Sequence, residues 1–264
     1  MSSVLDRILA VFEVLADRPE GMSVKGVADR LNMPASAAHR LLNDLVRAGY
    51  VRQERDHGDY RLTIKLAMLG MSFLARSGVL DVAQPILDQL AKETKELARL
   101  SIIEGRLLAW VARSQGATSG LRYDPDADQG TAVHLATTAS GTAWLMTMSN
   151  EEALERVAEQ GFRPADFELG PNAPRSAAEL IERLKVARKR GYSTVRDSFQ
   201  TGIAAMAAPV RNPVTRATIG VISVGGPAIR LTEARIEEYA PTLLAAAANL
   251  GATNSASPLL NPRR

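Results

Sequence analysis

Residues 33–51 read MPASAAHRLLNDLVRAGYV. Ala38, Leu41, Leu42 and Leu45 recur at i, i+3, i+4 and i+7, which makes one apolar stripe along a helix. At about 100° per residue, Ser36, Arg40, Asn43 and Arg47 fall on the opposite side, with His39 beside them. That outward face offers guanidiniums, an amide and a hydroxyl, the groups that read base edges and hold phosphates in a major groove. Gly49 then stops the helix and Tyr50-Val51 opens a strand. An ordinary amphipathic surface helix has the same pattern, so the flanks decide.

Upstream, Leu5, Ile8, Leu9, Phe12 and Leu15 form a first amphipathic helix. Ser23 caps a second, with Val24, Val27, Ala28 and Leu31 inward. Asn32-Met33-Pro34 makes a tight break, and Pro34 suits the first turn of the third helix, where its missing N–H is not needed. Downstream, Tyr50-Val51-Arg52 and Tyr60-Arg61-Leu62 bracket a turn containing Gly58. Three helices, the second and third joined by a short turn, followed by a hairpin, predict a winged helix-turn-helix.

At 264 residues the chain fits two modest domains with an aliphatic core: 46% of residues are hydrophobic and 5% aromatic. There is no cysteine, so no disulfide framework and no thiolate metal site. His39, His57 and His134 lie far apart and show no ligand spacing, so neither metal nor cofactor is expected. No apolar run approaches membrane-spanning length and no signal-peptide core is present, so a cytoplasmic protein is expected. The formal net charge is +3, and residues 30–65 hold seven basic against four acidic side chains. That excess is compatible with phosphate contacts from one face but does not establish them.

The stretch from Arg61 to Ser77 carries two apolar stripes. Ile64, Ala67, Met68, Met71 and Ala75 form one; Leu62, Leu66, Leu69 and Phe73 form the other, on the opposed face. A helix apolar on two faces must be covered on both. Either it is sandwiched within one chain, or it is a linker helix that packs on its counterpart in a second subunit. The latter needs fewer partners.

Beyond it, a helix is expected from Asp81 to Ala98, with Val82, Ile86, Leu87 and Leu90 inward and Pro85 in its first turn. Leu97–Ile103 and Leu107–Ala112 flank Glu104-Gly105-Arg106, a hairpin signal. Residues 116–131 read as a polar loop with one short strand at Leu121-Arg122-Tyr123. Short helices are expected over Ser140–Met148 and Glu151–Glu159, and a capping box at Ser176-Ala177-Ala178-Glu179 opens a helix that Gly191 ends. Ile203–Val210 and Ala217–Val224 read as strands, and Thr232 caps a last helix to about Leu250. The whole is α+β, with an α/β C-terminal part on a largely antiparallel sheet. The expected divisions are 1–61 for the winged helix, 62–78 for the linker and dimerisation helix, 79–251 for the second domain and 252–264 for a flexible tail.

Two segments of the second domain suit a ligand. Thr137-Thr138-Ala139-Ser140-Gly141-Thr142 opens a helix with small residues, and free N–H groups there favour a carboxylate or phosphate. Ser223-Val224-Gly225-Gly226-Pro227 ends a strand in small residues. Each also reads as a plain packed turn. Catalytic motifs are absent: no G-x-S-x-G, no P-loop, no G-x-G-x-x-G. His134, Ser140 and Asp197 make a triad on paper, but a triad is a geometry and not an inventory.

Together these segments resemble the IclR family of bacterial transcription regulators, over about residues 3–250. The carrying residues are LDRILAVFEVLA, SAAHRLLNDLVRAGYV, YRLTIKLAMLG, HLATTASGTAWL, ARKRGYS, TGIAAMAAPV and IGVISVGGPAIRLT, in that order and spacing. The resemblance implies a winged-helix DNA-binding domain, a linker helix, an effector-binding domain with a GAF/PAS-like sheet for a small organic molecule, and dimers that often pair into tetramers. It implies effector contacts from Ala139 and Ser140 at a helix start, Ile203 and Ala205 on a strand, Ser223 and Gly225 at a strand end, and Val133 on a closing loop. Asp197-Ser198 stands where many members have two acids, and Ala205 and Gly225 replace more polar side chains. The cavity is therefore expected to be roomier and less polar than one made for a two- or three-carbon acid.

The reading that results is a non-enzymatic transcription regulator, a homodimer or tetramer, with two partners: double-stranded operator DNA and a small organic acid effector, aromatic acids included. Ser36, His39, Arg40, Asn43 and Arg47 are expected at the major groove or its phosphates, and Arg52, Arg55 and Arg61 along the wing and backbone. The rivals are an enzyme acting on a small acid or ester in the C-terminal pocket, and a ligand-sensing scaffold whose winged helix contacts protein.

Overall fold

A computed structural model describes residues 3–54, 58–125, 130–163 and 168–261. They fall into two compact units, one up to residue 76 and one from residue 77.

In the first unit, α1 (Val4–Ala16) opens on a reciprocal cap: the Ser3 hydroxyl accepts from Asp6 N–H at 3.1 Å and the Asp6 carboxylate from Ser3 N–H at 2.7 Å. Ser23 caps α2 (Val24–Arg30) through Gly26 N–H. Asn32 then takes a left-handed φ of 48° to reverse the chain. α3 spans Ala35–Arg47. Pro34 is its N-cap, one residue earlier than expected: ψ of 139° keeps it extended while its carbonyl accepts the first helical bonds, from Ala37 and Ala38. Val11, Leu15, Val27, Ala28, Ala38, Leu42 and Leu45 form the core under β1 (Val51–Gln53) and β2 (Tyr60–Leu62). Burying each of its leucines contributes about 1.5–3 kcal/mol. The strands pair antiparallel with Arg52 opposite Arg61, and Met22 adds a bridge to Tyr60. This is the winged helix that the helix periodicities predict.

α4 (Ile64–Ser77) follows at once. Ile64, Met68, Leu69, Met71 and Phe73, drawn from both apolar stripes, are each more than half exposed. No single helix among the described residues is long and apolar enough to cross a membrane.

The second unit is built on α5 (Val79–Thr94), β3 (Leu97–Glu104), β4 (Leu107–Gln115), α6 (Ala139–Leu145), α7 (Asn150–Gln160), α8 (Ala177–Arg190), β5 (Ser193–Arg196), β6 (Ile203–Arg211), β7 (Thr218–Pro227) and α9 (Glu233–Ala252). The sheet order is β4-β3-β7-β6-β5, antiparallel throughout. α5 and α9 pack against β3, β4, β6 and β7, and α6 packs against β5, β6 and β7. Strand alternation assigns Ala207, Val221 and Trp110 to the α6 side, where they join Ala139, Ala143 and Trp144 in one buried cluster.

Five local expectations are corrected. α5 begins at Val79, so Pro85 sits in its second turn, and the fully inward stripe is Val79, Ala83, Leu87 and Leu90, with Val82 and Ile86 only half-buried. β5 is an additional edge strand, too short and polar to stand out in the sequence. Leu121–Tyr123 forms no strand. Side chains hold its carbonyls instead, Arg230 on Leu121 O at 2.6 Å and Gln115 on Tyr123 O at 2.9 Å. In the cap of α8, Ser176 accepts from Glu179 N–H as expected, but the Glu179 carboxylate reaches Arg175 N–H. Finally, the described part of the tail is folded: Asn254–Ala256 is a 3-10 turn, and Leu260 is fully buried.

Candidate functional site

The outward face of α3 presents Ser36, His39, Arg40 and Arg47, all exposed. Asn43 is half-buried and engaged. Its Nδ2 lies 3.3 Å from His39 Nε2, and its Oδ1 accepts from the Tyr60 hydroxyl at 3.5 Å, which ties the base of the wing to α3. Arg47 pairs with Asp44 one turn away, so the face is less positive than its arginines alone imply. Arg52 and Arg61 converge on Glu54 from facing strand positions. Arg61 is the more buried of the two, and its Nε has no acceptor. Arg55 lies outside the described residues. Lys65 was not anticipated: its ammonium donates to Ala48 O at 2.7 Å and sits 4.3 Å from the Tyr50 ring, closing the C-terminal end of α3.

A second constellation lies between the sheet and α6. Thr138 caps α6, accepting from Gly141 N–H at 2.9 Å, and donates to His134 O at 2.7 Å. Ser193 Oγ donates to Ala139 O at 2.6 Å and so pins the helix start to the sheet. A cavity of about 30 Å³ opens beside it, lined among others by Ala139, Ser140, Ile203, Ala205 and Ser223. Those five expected residues come together. Gly225 lies just beneath, where a Cβ would touch the Tyr123 ring at 3.5 Å. Val133 does not line the cavity. It is buried in the α6 cluster, with its N–H on Leu108 O and its carbonyl taken by Gln160, so its side chain faces the core.

The remaining walls are Arg99, Trp110, Tyr123, Val195, Phe199 and Gln200. Arg99 is 7% exposed, and its guanidinium lies 4.4 Å from the Trp110 ring and 5.7 Å from that of Tyr123. The cavity is thus small, and it is not less polar as expected: Trp110, Tyr123 and Phe199 line it and Arg99 puts a cation on its floor. The signal for it lies in LARLSIIE, where Arg99 stands between Leu97 and Ser101 on one face of a strand buried over most of its length. His134, Ser140 and Asp197 form no catalytic set. His134 Nδ1 is engaged with Thr137 Oγ1 at 2.7 Å, and Asp197 accepts from Gly202 N–H. Burial holds the His134 imidazole below its ordinary titration range.

Two family patterns match the chain: the IclR helix-turn-helix domain over residues 4–55, and the bacterial transcriptional regulator IclR C-terminal domain over residues 71–252. The chain belongs to the IclR family. Among IclR relatives, the HTH-type transcriptional regulator BhcR of Paracoccus denitrificans is 27% identical over 93% of this chain and 85% of its own length. The transcriptional repressor IclR of Escherichia coli is 26% identical over 92% and 86%. An IclR homologue from Microbacterium hydrocarbonoxydans, solved in complex with 4-hydroxybenzoate, superposes with a TM-score of 0.76 at 22% identity, covering 97% of this chain and all of that one. This IclR-family member is a DNA-binding transcription regulator and not an enzyme.

Proposed function

We propose that this regulator binds operator DNA as a homodimer or higher oligomer, and that a small organic anion with an apolar body sets its affinity for DNA from the cavity beneath α6. The observation that carries the reading is the cavity itself: Val195, Phe199, Ile203 and Ala205 on one side, the buried Arg99 cation on the other. Acid donors flank it, Arg99 below and the first amides of α6 above. The 4-hydroxybenzoate complex of the Microbacterium homologue supports an aromatic carboxylate as the class. A ligand larger than the present cavity must push Tyr123 or Phe199 aside. That displacement supplies the difference between two states which any effector needs, since a ligand bound equally by both shifts nothing. Dimerisation is assigned to α4, whose two exposed apolar stripes a second copy would cover. The working divisions remain 1–61, 62–78 and 79–251, and the protein would act in the cytoplasm, where operator DNA lies.

The test has two stages. Genomic fragments selected on the purified chain identify the operator. Fluorescence anisotropy then measures operator affinity with and without benzoate, 4-hydroxybenzoate, phenylacetate and pyruvate. At least one acid should change the operator Kd tenfold or more, about 1.4 kcal/mol of coupling. Selection of no DNA, or an operator Kd indifferent to every acid, overturns the proposal.

A further inference from the structure

Three buried side-chain atoms without a hydrogen-bond partner lie together on the α6 side of the sheet: Ser101 Oγ, Trp110 Nε1 and Ser223 Oγ. The strand register makes the neighbourhood. Arg99 on β3 stands opposite Ser223 on β7, and Ser101 stands opposite Trp110 on β4. Ser223 and Trp110 are 2% and 5% exposed, and both line the cavity, as does Arg99. Leaving such groups unsatisfied in a folded core is costly, so a cluster of them at a cavity wall calls for a ligand.

The chemistry of the cluster names the ligand group. A guanidinium and an indole N–H only donate, and a serine hydroxyl can donate. A group set against all three must therefore be an acceptor with several lone pairs, and the Arg99 charge selects an anionic one. A carboxylate meets both conditions. Trp110 and Tyr123 hold the guanidinium in place by their ring faces, at 4.4 and 5.7 Å. Away from Arg99, the side chains of Val195, Phe199, Ile203 and Ala205 offer neither donors nor charge, and the one polar neighbour of Phe199 on the lining, Gln200, is neutral. Overhead, α6 is only seven residues long, and its third amide is already taken by Thr138.

We propose that the effector's carboxylate points down onto Arg99, Ser223 and Trp110, and not up to the α6 amides, with its planar apolar body against Phe199, Ile203 and Ala205. The effector class that follows is a planar monocarboxylate. A second acid group would meet no cation at the apolar end. This assignment rests on the reading above that the cavity holds a small organic anion.

Calorimetry on the full chain tests it, using benzoate, 4-hydroxybenzoate, phenylacetate and pyruvate, each against its neutral amide. Ser223→Ala removes one oxygen that has no partner, so the fold is retained; it should weaken the bound acid roughly 5- to 20-fold. Arg99→Gln should weaken it by roughly 50-fold or more and abolish the preference for acid over amide, and Arg99→Lys should restore part of that preference. In a Trp144→Phe background the emission of Trp110 should shift on binding. If Arg99→Gln fails to fold, Ser223→Ala and the Trp110 signal carry the test. Unchanged acid affinity in Ser223→Ala with Trp110 emission unmoved overturns the assignment. If no acid binds the parent chain, or if binding survives Ala205→Trp, the anion cavity itself is refuted.

Discussion

Arg40 is the side chain on which operator binding should depend most. It sits in the middle of α3, exposed, and no ion pair holds it among the described residues. Arg40→Ala therefore leaves the helix and its buried stripe of Ala38, Leu42 and Leu45 intact, and the folding free energy should change by no more than about 0.5 kcal/mol. If the guanidinium reads a base edge, its loss costs roughly 1–3 kcal/mol per copy, and roughly 2–6 kcal/mol on a symmetrical operator bound by two copies. In Kd that is roughly 5- to 140-fold per half-site, with relaxed preference at one base pair. If it holds phosphate, the loss is the same for all sequences and the slope of log K against log salt falls by about one per copy. Anisotropy titrations on operator and scrambled DNA, at salt concentrations between about 50 and 200 mM, separate the two cases. Arg47 supplies the internal comparison. Because Asp44 already neutralises it, Asp44→Ala should free that cation and tighten binding to any DNA. An Arg40→Ala protein that melts like the parent but keeps the parent's Kd and salt slope refutes the placement of α3 in the groove.

Three further outcomes are expected. Leu66→Glu with Phe73→Glu should turn the oligomer into monomers in sedimentation and abolish tight operator binding; an intact dimer would contradict the role given to α4. Ala205→Trp fills the small cavity, at an overpacking cost of about 1–3 kcal/mol, and should remove the response to acid in anisotropy while operator affinity without acid persists. His134 is held below its ordinary 6.5 by burial, so the unfolded chain takes up its proton first. Its contribution is complete above pH 6.5 and is lost as the pH falls from there toward the lowered folded value. His134→Leu should flatten the fall in Tm over that window, and parallel curves for the two proteins would dismiss the effect.

The winged helix was readable almost residue by residue because each of its elements announces itself locally: a stripe at helical spacing, a hydroxyl cap, a glycine stop. The second unit was readable as a class, α+β with hairpin-linked strands, because β3, β4, β6 and β7 are long and apolar. β5 was not, since a four-residue edge strand takes its identity from pairing with β6. The cavity divides the same way. The small residues Ala139, Ser140, Ala205 and Ser223 mark it in sequence. Arg99, Trp110, Tyr123 and Phe199 belong to segments far apart along the chain and meet only through strand register and a loop held by Arg230. No periodicity records which side chain of one strand faces which of another. Val133 went astray for the related reason that a residue next to a motif need not point where the motif does.

Gly225 and Gly226 sit side by side on β7, and neither has the backbone angles that demand glycine. What each gives up is volume, and to different neighbours: Gly225 to the Tyr123 ring, Gly226 to the carboxylate of Glu96, which is locked in a two-point pair with Arg230. Over evolutionary drift these positions should therefore change in company. A Cβ at Gly225 would meet the Tyr123 ring in ordinary contact at 3.5 Å, so alanine fits there and only a larger side chain must shift Tyr123 and reshape the cavity. A lineage that gains one at Gly226 must give up Glu96, leaving Arg230 without its carboxylate and weakening its hold on the Leu121 carbonyl that steadies the same loop. Two adjacent hydrogen atoms thus set separate hereditary constraints, one on the ring that walls the cavity and one on the ion pair that steadies the loop beside it.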